Sequence, residues 1–321
     1  MDGTLWAVRS SVYEAAGGGE AFVALARAHH DRCLADPVLE HPFSHPGDPH
    51  HVERLAAYWA EVTGGPPGPV RQTPLQRMHA GNGGGMSDLG RRFVRCFTQA
   101  MDDAALPDTP QLREVLRASM EWAVADVLAF APRGSTVPAD LPTPRWTWDS
   151  PRSVAVDNNI DRCDAVARAA GIETHRDDDR WWATRRTPPF QPDAITRRPG
   201  LSAAAVLAGV DTAPGCSVKD SYADLDLAPH GFGVLIEGRW VWRGPRDPEQ
   251  DASARPSGVV TRSGPVVGVS DTDDWAGALA AAAAVAPDAP VVAWGALAEL
   301  DAATAAGWRV TGPLRVSLRE A

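Results

Sequence analysis

The sequence predicts a multidomain protein with an all-α N-terminal half and an α/β or α+β C-terminal half. Apolar residues recur at helical spacing in the first half, whereas strand-like runs alternate with helical stretches in the second. A proline-rich segment without periodicity, residues 131–150, lies between them and is typical of a linker. With 321 residues, about two domains are expected. We therefore predict domains at 1–130 and 151–321.

Four stretches of the first half predict helices, and each carries apolar residues on one stripe. They read "EAFVALARAHHDRCL", "HHVERLAAYWAEV", "LGRRFVRCFTQAM" and "TPQLREVLRASMEWAVADVLAF". Thr109 is the expected N-cap of the last helix, with Pro110 at its first position. Glycine and proline clusters separate the four stretches, which favours short breaks between helices.

The second half mixes strand and helix patterns. The runs "GFGVLIEGRWVW" and "SGVVTRSGPVVGV" predict strands around short turns. A helix is expected near Asp274–Ala286, then the strand "PVVAW", then a helix at about Ala296–Ala306. The closing "WRVTGPLRVSLR" predicts a strand or a strand pair.

Composition argues against several classes of partner. The formal net charge is −10 and no basic patch is visible, so neither nucleic acid nor an anionic membrane surface is expected as a partner. The four cysteines form no CxxC pair, which favours free thiols in a reducing cytosol. No signal peptide is apparent, and the longest apolar run, Ala276–Ala286, is too short to span a bilayer. We predict a soluble, cytoplasmic protein.

Histidines cluster between positions 29 and 51, which hold six of the nine in the chain. Three interpretations are open. The histidines can be solvated or capping residues, or ligands of a zinc hydrolase, although the run "HPGDPHH" lacks the HExxH order. The third is a haem pocket, which needs one axial ligand, apolar walls and a polar distal side. His79, in "PLQRMHAGN", is the only histidine between His51 and His175 and is the candidate axial ligand.

Residues 10–130 resemble the truncated haemoglobins, most closely their group II. The segments "SVYEAAGGGEAF", "LADPVLEHPF", "ERLAAYWAEVTGGP" and "LQRMHAGN" are similar to motifs of that family, in the same order and at similar spacing. The resemblance implies a sandwich of two helices over two and a haem b cofactor that binds O2, NO or CO. An unidentified reductant would keep the iron reduced.

The resemblance also implies which residues contact the haem. They are His79, Phe43, His30, His51, Arg54, Leu55, Tyr58, Met78 and Phe93. Among them, His79 matches the proximal ligand of the iron, and Phe43 matches the aromatic residue that packs on the haem plane. Arg54 falls where a basic side chain can reach a haem propionate, with a solvated arginine as the alternative.

The distal side departs from the family at two positions. His30 stands where the family usually has Tyr, and Phe93 stands where group II proteins usually keep Trp. His51 matches the distal position at the start of the next helix, and Leu55 and Tyr58 line the same wall. Because two histidines lie on this side, His51 is also a candidate for direct coordination of the iron, which predicts a six-coordinate resting state.

The second half is similar to the C-terminal half of the GNAT family of N-acetyltransferases, through "GPVVGVSDTDDWAGALAAAAAVA" and "GPLRVSLR". That family places a glycine-rich loop before a helix that receives the pyrophosphate of coenzyme A. Here the loop reads "SDTDDW", and its acidic residues would repel a pyrophosphate, which argues against acetyl-CoA binding. Asp177–Asp179 beside two tryptophans, and Cys216 near Lys219, are further candidate sites, with structural roles as the alternative.

The sequence thus predicts a truncated haemoglobin that binds O2 or another diatomic gas, fused to an acetyltransferase-like domain of degenerate type. Two alternatives stay open. The globin can sense a gas or a redox state and regulate the C-terminal module, or the chain can be an N-acyltransferase with an accessory globin.

Overall fold

The computed structural model describes residues 10–40, 50–68, 76–77, 79–81, 86–245 and 254–320. The chain divides into two compact units, Met1–Ser150 (unit 1) and Pro151–Ala321 (unit 2). Among the described residues, no helix has both the length and the hydropathy that crossing a bilayer requires.

Unit 1 is helical, as the spacing of its apolar residues predicts. Its helices are α1 Val12–Ala16, α2 Gly18–Ala35, α3 His51–Val62, α4 Met86–Asp103 and α5 Pro110–Leu128. Helix α1 begins in a capping box, in which Ser11 Oγ accepts from Glu14 N at 3.1 Å and Glu14 Oε2 accepts from Ser11 N at 2.9 Å. Gly17, at φ 108°, separates α1 from α2, because only glycine adopts this left-handed backbone without strain. Thr109 is the N-cap residue of α5, although its side chain makes no capping hydrogen bond.

The core of unit 1 lies where α2 packs against α3 and α4, and it includes the fully buried Phe22, Leu25 and Ala26. The glycine pair after α3 lets α1 approach closely, and Tyr13 N donates to Thr63 O at 3.0 Å. A Cβ on Gly65 would lie 2.8 Å from Ala60 O and 2.7 Å from Tyr13 Cδ2. The second glycine of this pair is therefore required by packing.

Part of the proline-rich segment packs on unit 1. Trp146 is buried, its backbone N–H donates to Val62 O at 2.7 Å, and its ring lies 6.2 Å from that of Trp122. The burial of Trp146 holds this part of the segment against α3 and α5. The domain bounds 1–130 and 151–321, with a linker at 131–150, stay predictions.

Unit 2 is rich in strands. Its strands are β1 Thr174–Arg176, β2 Arg180–Ala183, β3 Ala194–Thr196, β4 Ser217–Asp220, β5 Phe232–Arg243, β6 Val259–Ser263, β7 Val266–Ser270, β8 Val291–Ala296 and β9 Arg309–Arg319. They form one sheet in the order β1-β2-β3-β4-β9-β5-β8-β7-β6. The pairs β3–β4 and β7–β8 are parallel and the other described pairs are antiparallel.

The α-helices that accompany this sheet in the described residues are α6 Ser150–Ala169, α7 Ala203–Leu207, α8 Trp275–Val285 and α9 Leu300–Ala305. Helix α8 packs on β7 and β8 through a cluster that includes Trp275, Leu279 and Val267. The expected strands in "GFGVLIEGRWVW", "SGVVTRSGPVVGV" and "PVVAW" are confirmed as β5, β6 with β7, and β8. The terminal run is one long strand, β9, since it pairs with β5 over almost its whole length. The GNAT-like identity of unit 2 is not confirmed and stays a prediction.

Candidate haem site

His79 lies in a short helical stretch and is half-buried. Burial lowers the pKa of its imidazole below the ordinary value of 6.5. At neutral pH the ring is therefore neutral and has a lone pair that can bind a metal ion. Met78 lies outside the described residues.

Two contacts hold the His79 stretch against the C-terminal end of α5. Gln76 is completely buried, and its Nε2 donates to Asp126 Oδ2 at 2.6 Å. On the other side of His79, Gly81 N donates to Phe130 O at 3.1 Å. These hydrogen bonds join residues that are about 50 positions apart in the sequence, so the sequence alone gave no signal for them.

Two further candidate residues come together from different helices. His30 lies on α2 and is half-buried, and His51 is the exposed first residue of α3. Their ring centroids are 5.6 Å apart and the ring planes are inclined by 52°. The structure thus brings together two imidazoles that the resemblance assigns to the distal side, and their roles toward haem stay predictions.

Helix α3 carries the other predicted wall residues. Leu55, one turn after His51, is half-buried, and Tyr58 is buried at 5% exposure. Burial, with the negative charge of Asp126 as a smaller contribution, raises the pKa of the Tyr58 phenol. The phenol therefore stays protonated and remains a hydrogen-bond donor at neutral pH. Arg54 lies on the exposed face of the same helix.

His29, the neighbour of His30, is fully buried among aromatic rings. Its ring lies edge-on to Phe93 at 4.4 Å, to Trp59 at 5.4 Å and to Phe97 at 6.1 Å, measured between centroids. Burial is the main cause that lowers the pKa of His29 to about 4. The half-buried Phe93 thus packs against a neutral imidazole. His29 therefore packs against the neighbouring helices α3 and α4.

Phe43 lies outside the described residues, as do His41, His45 and Asp48 of the histidine-rich stretch. Among the residues that the structure describes, no group of three or more His, Cys, Asp or Glu side chains is arranged to hold a metal ion.

The acidic turn of unit 2 has a structural role. Asp177 Oδ1 accepts from the backbone N–H groups of Asp179 and Arg180, both at 2.8 Å, which closes the turn between β1 and β2. The Arg180 guanidinium lies 4.0 Å from the centre of the Trp182 ring and donates to the backbone oxygens of Val206 and Ala208. This arrangement supports the structural alternative for this stretch.

Cys216 and Lys219 are both buried in unit 2. Burial raises the pKa of the Cys216 thiol to about 11, so the nucleophilic thiolate is scarce at neutral pH. Lys219 Nζ donates to Asn159 Oδ1 at 2.9 Å and lies 4.4 Å from the centre of the Trp294 ring. Burial lowers the pKa of this ammonium to about 8. At the start of α8, Asp274 Oδ1 accepts from Gly277 N at 2.9 Å, so Asp274 caps this helix.

Comparison with known proteins identifies the family of the first unit. The model of the bacterial-like globin family matches residues 11–126. A thermostable haemoglobin from the actinobacterium Thermobifida fusca is 28% identical, with 40% of this chain and 99% of that chain covered and a TM-score of 0.29. A triple mutant of ASV-TfTrHb is 27% identical, with 42% of this chain and 98% of that chain covered and a TM-score of 0.29. No curated protein matches the chain. On the family match, residues 11–126 form a bacterial-like globin domain.

Proposed function

We propose that the globin domain binds haem through His79 and that the haem-loaded protein binds O2 or another diatomic gas. The observation that carries this proposal is the match of residues 11–126 to the bacterial-like globin family, because that family implies a haem cofactor. The matched range contains His79 and all the other residues that the sequence assigns to the haem.

The chemistry of the donor set fits haem. An axial ligand must offer a neutral nitrogen, and partial burial keeps the His79 imidazole neutral. The hydrogen bonds of Gln76 and Gly81 fix the backbone on both sides of His79. When bound, the haem would supply the iron that coordinates the gas.

His30 and His51 are the proposed donors on the distal side. An imidazole N–H of either ring would donate to a diatomic ligand that carries partial negative charge and would slow its release. A neutral imidazole donates from one nitrogen, and the neighbour of each ring determines which one. Because the two rings are 5.6 Å apart, the tautomer of one affects the other. In the alternative, His51 would ligate the iron directly, and this alternative involves the same pair of histidines, His30 and His51.

The buried aromatic cluster behind His30 keeps water away from this side of α2. His29 is neutral at physiological pH, since its pKa is about 4, and it is enclosed by Phe93, Trp59 and Phe97. At neutral pH this cluster therefore places no charge behind the His30 ring.

The first prediction is that His79→Ala abolishes native haem binding. The full chain is produced with haem, and its visible spectrum is recorded in the ferric, ferrous and CO-bound states. His175→Ala is the control, because His175 is a partly exposed histidine of unit 2. We expect the wild type and the control to give the same spectra, and His79→Ala to lose the haem or to show a different ferrous spectrum.

Two results would contradict the proposal: a colourless wild type after haem reconstitution, or an unchanged spectrum in His79→Ala. The ferrous spectrum without added ligand also tests His51. A five-coordinate high-spin spectrum would argue against direct coordination by His51, and a six-coordinate spectrum that His51→Ala removes would support it.

We propose that unit 2 is a fusion partner of the globin domain and that it does not bind acetyl-CoA. Asp271, Asp273 and Asp274 place negative charge at the start of α8, where a pyrophosphate would be repelled. Calorimetry with acetyl-CoA tests this, and tight binding would instead favour the N-acyltransferase alternative. Regulation of unit 2 by the globin, the reductant and a cytoplasmic location stay predictions.

A further inference from the structure

The buried side chain of Gln76 lies against the C-terminal end of α5. Gln76 is completely buried, and its Oε1 has no hydrogen-bond partner among the described residues, although Nε2 donates to Asp126 at 2.6 Å. An ionised carboxylate can only accept hydrogen bonds. Asp126 therefore orients the Gln76 amide so that the NH2 group of the amide faces α5. The amide oxygen therefore points away from Asp126. A buried acceptor without a donor is costly, so a donor is expected for it.

Gln76 stands three residues before His79 on the same helical stretch. Residues at this spacing are neighbours on one face of a helix. A histidine that ligates a metal through one ring nitrogen carries a proton on the other, and that N–H almost always donates to a carbonyl or a carboxylate. The Oε1 of Gln76, which has no donor among the described residues, and the ring of His79 are thus about one helical turn apart.

The surroundings hold the amide in place. Arg77 Nη2 donates to Ala139 O at 3.1 Å, and Gly81 N donates to Phe130 O at 3.1 Å. Together with the hydrogen bond from Gln76 to Asp126, these contacts join the stretch to α5 and to the segment that follows it. The stretch that carries Gln76 and His79 therefore cannot shift without the loss of several hydrogen bonds.

We propose that Gln76 is a positioning residue, whose Oε1 accepts the ring N–H of the haem-ligating His79 and is itself oriented by Asp126. The negative Asp126 polarises the amide, which makes the amide oxygen a stronger acceptor and the His79 ring a stronger donor of electrons to iron. This inference rests on the proposed haem binding. It means that two side chains, Gln76 and Asp126 of α5, determine the tautomer and the orientation of the proximal ring.

The test is the iron–histidine stretching frequency of the ferrous full-length protein, measured by resonance Raman spectroscopy. Gln76→Met keeps the length of the side chain and removes both polar groups, and it should lower this frequency. Haem transfer to an excess of an apo-globin acceptor should become roughly 10-fold faster or more. The control is Gln111→Met, at an exposed position of α5, and it should match the wild type in both measurements.

A double variant separates hydrogen bonding from packing. In Gln76→Glu with Asp126→Asn, the new amide at 126 can donate to the carboxylate at 76, which still offers an oxygen to His79. The frequency should return to the wild-type value or exceed it, whereas Asp126→Asn alone should give a value between those of the wild type and Gln76→Met. A role in packing alone would not produce this rescue.

The outcomes distinguish this inference from the proposed function. A wild type that loads haem, with a frequency unchanged in Gln76→Met, would show that another acceptor holds His79 and would overturn the inference alone. A wild type that does not load haem would overturn both. A lowered frequency in Gln76→Met, restored in the double variant, would support both.

Discussion

His29 should make unit 1 sensitive to acid. Its side chain is fully buried, and the pKa of its ring falls from the ordinary 6.5 to about 4, mainly because burial disfavours the charged form. In the unfolded chain the same ring takes up a proton near pH 6.5. The unfolded state therefore binds more protons than the folded state between about pH 6.5 and pH 4, and the free energy of unfolding falls as the pH falls through this window.

The size of the effect follows from the two pKa values. A difference of about 2.5 units, at about 1.36 kcal/mol per unit, corresponds to a loss of about 3 kcal/mol when the pH has fallen to the folded pKa. Positive charges on His30 and His51 add to the lowering, so part of the loss depends on these two rings. We expect His29→Phe to remove most of this pH dependence, because phenylalanine fills a similar volume and does not titrate.

Urea denaturation of the full chain at pH values between about 7 and 4.5 measures this effect, with hydrogen-exchange mass spectrometry of α2 and α4 peptides to report on unit 1. The wild type should lose stability over this range, and His29→Phe should lose clearly less. His230→Phe, at an exposed position of unit 2, is the control and should follow the wild type. An equal loss in the wild type and His29→Phe would refute the assignment of the acid sensitivity to this ring.

Two further predictions concern stability. Lys219 is the only lysine of the chain, and because burial lowers its pKa from 10.5 to about 8, unit 2 should gain up to about 3 kcal/mol as the pH rises between these values. Urea titrations at several pH values, followed by hydrogen-exchange mass spectrometry of unit 2 peptides, should show this rise in the wild type. The rise should be absent in Lys219→Met. A rise of equal size in the variant would contradict the assignment. Gly65→Ala should cost unit 1 about 2 kcal/mol, since its Cβ would meet Ala60 O at 2.8 Å. Gly19→Ala, in the first turn of α2, would place its Cβ 3.3 Å from the Tyr13 hydroxyl, which a small shift of that side chain relieves, so it should change stability by at most about 1 kcal/mol in thermal denaturation. Equal effects of the two substitutions would refute the packing argument.

Local patterns predicted the elements that have strong periodicity or clear ends. The helical stripes of α2 to α5 and the strands β5 to β8 are present where the sequence indicates them. Helix α6 was missed, because "SPRSVAVDNNIDRCDAVARA" carries polar residues on most of its surface and lacks a strong apolar stripe. Strands β1 to β4 were missed as well, since runs of three or four residues are too short to show alternation.

The candidate site, too, could be predicted from the sequence only in part. The sequence by itself determined the residue types, since His79, His30 and His51 could be singled out from local motifs and their order along the chain. Only the tertiary structure decided which groups meet: the His30 and His51 rings across two helices, and Gln76 with Asp126 across 50 positions. It also decided that His29 is buried and uncharged while its neighbour His30 is half-buried. The reason is physical: helix periodicity acts between near neighbours in the chain, whereas pKa values and hydrogen-bond partners depend on side chains that the fold brings from distant positions.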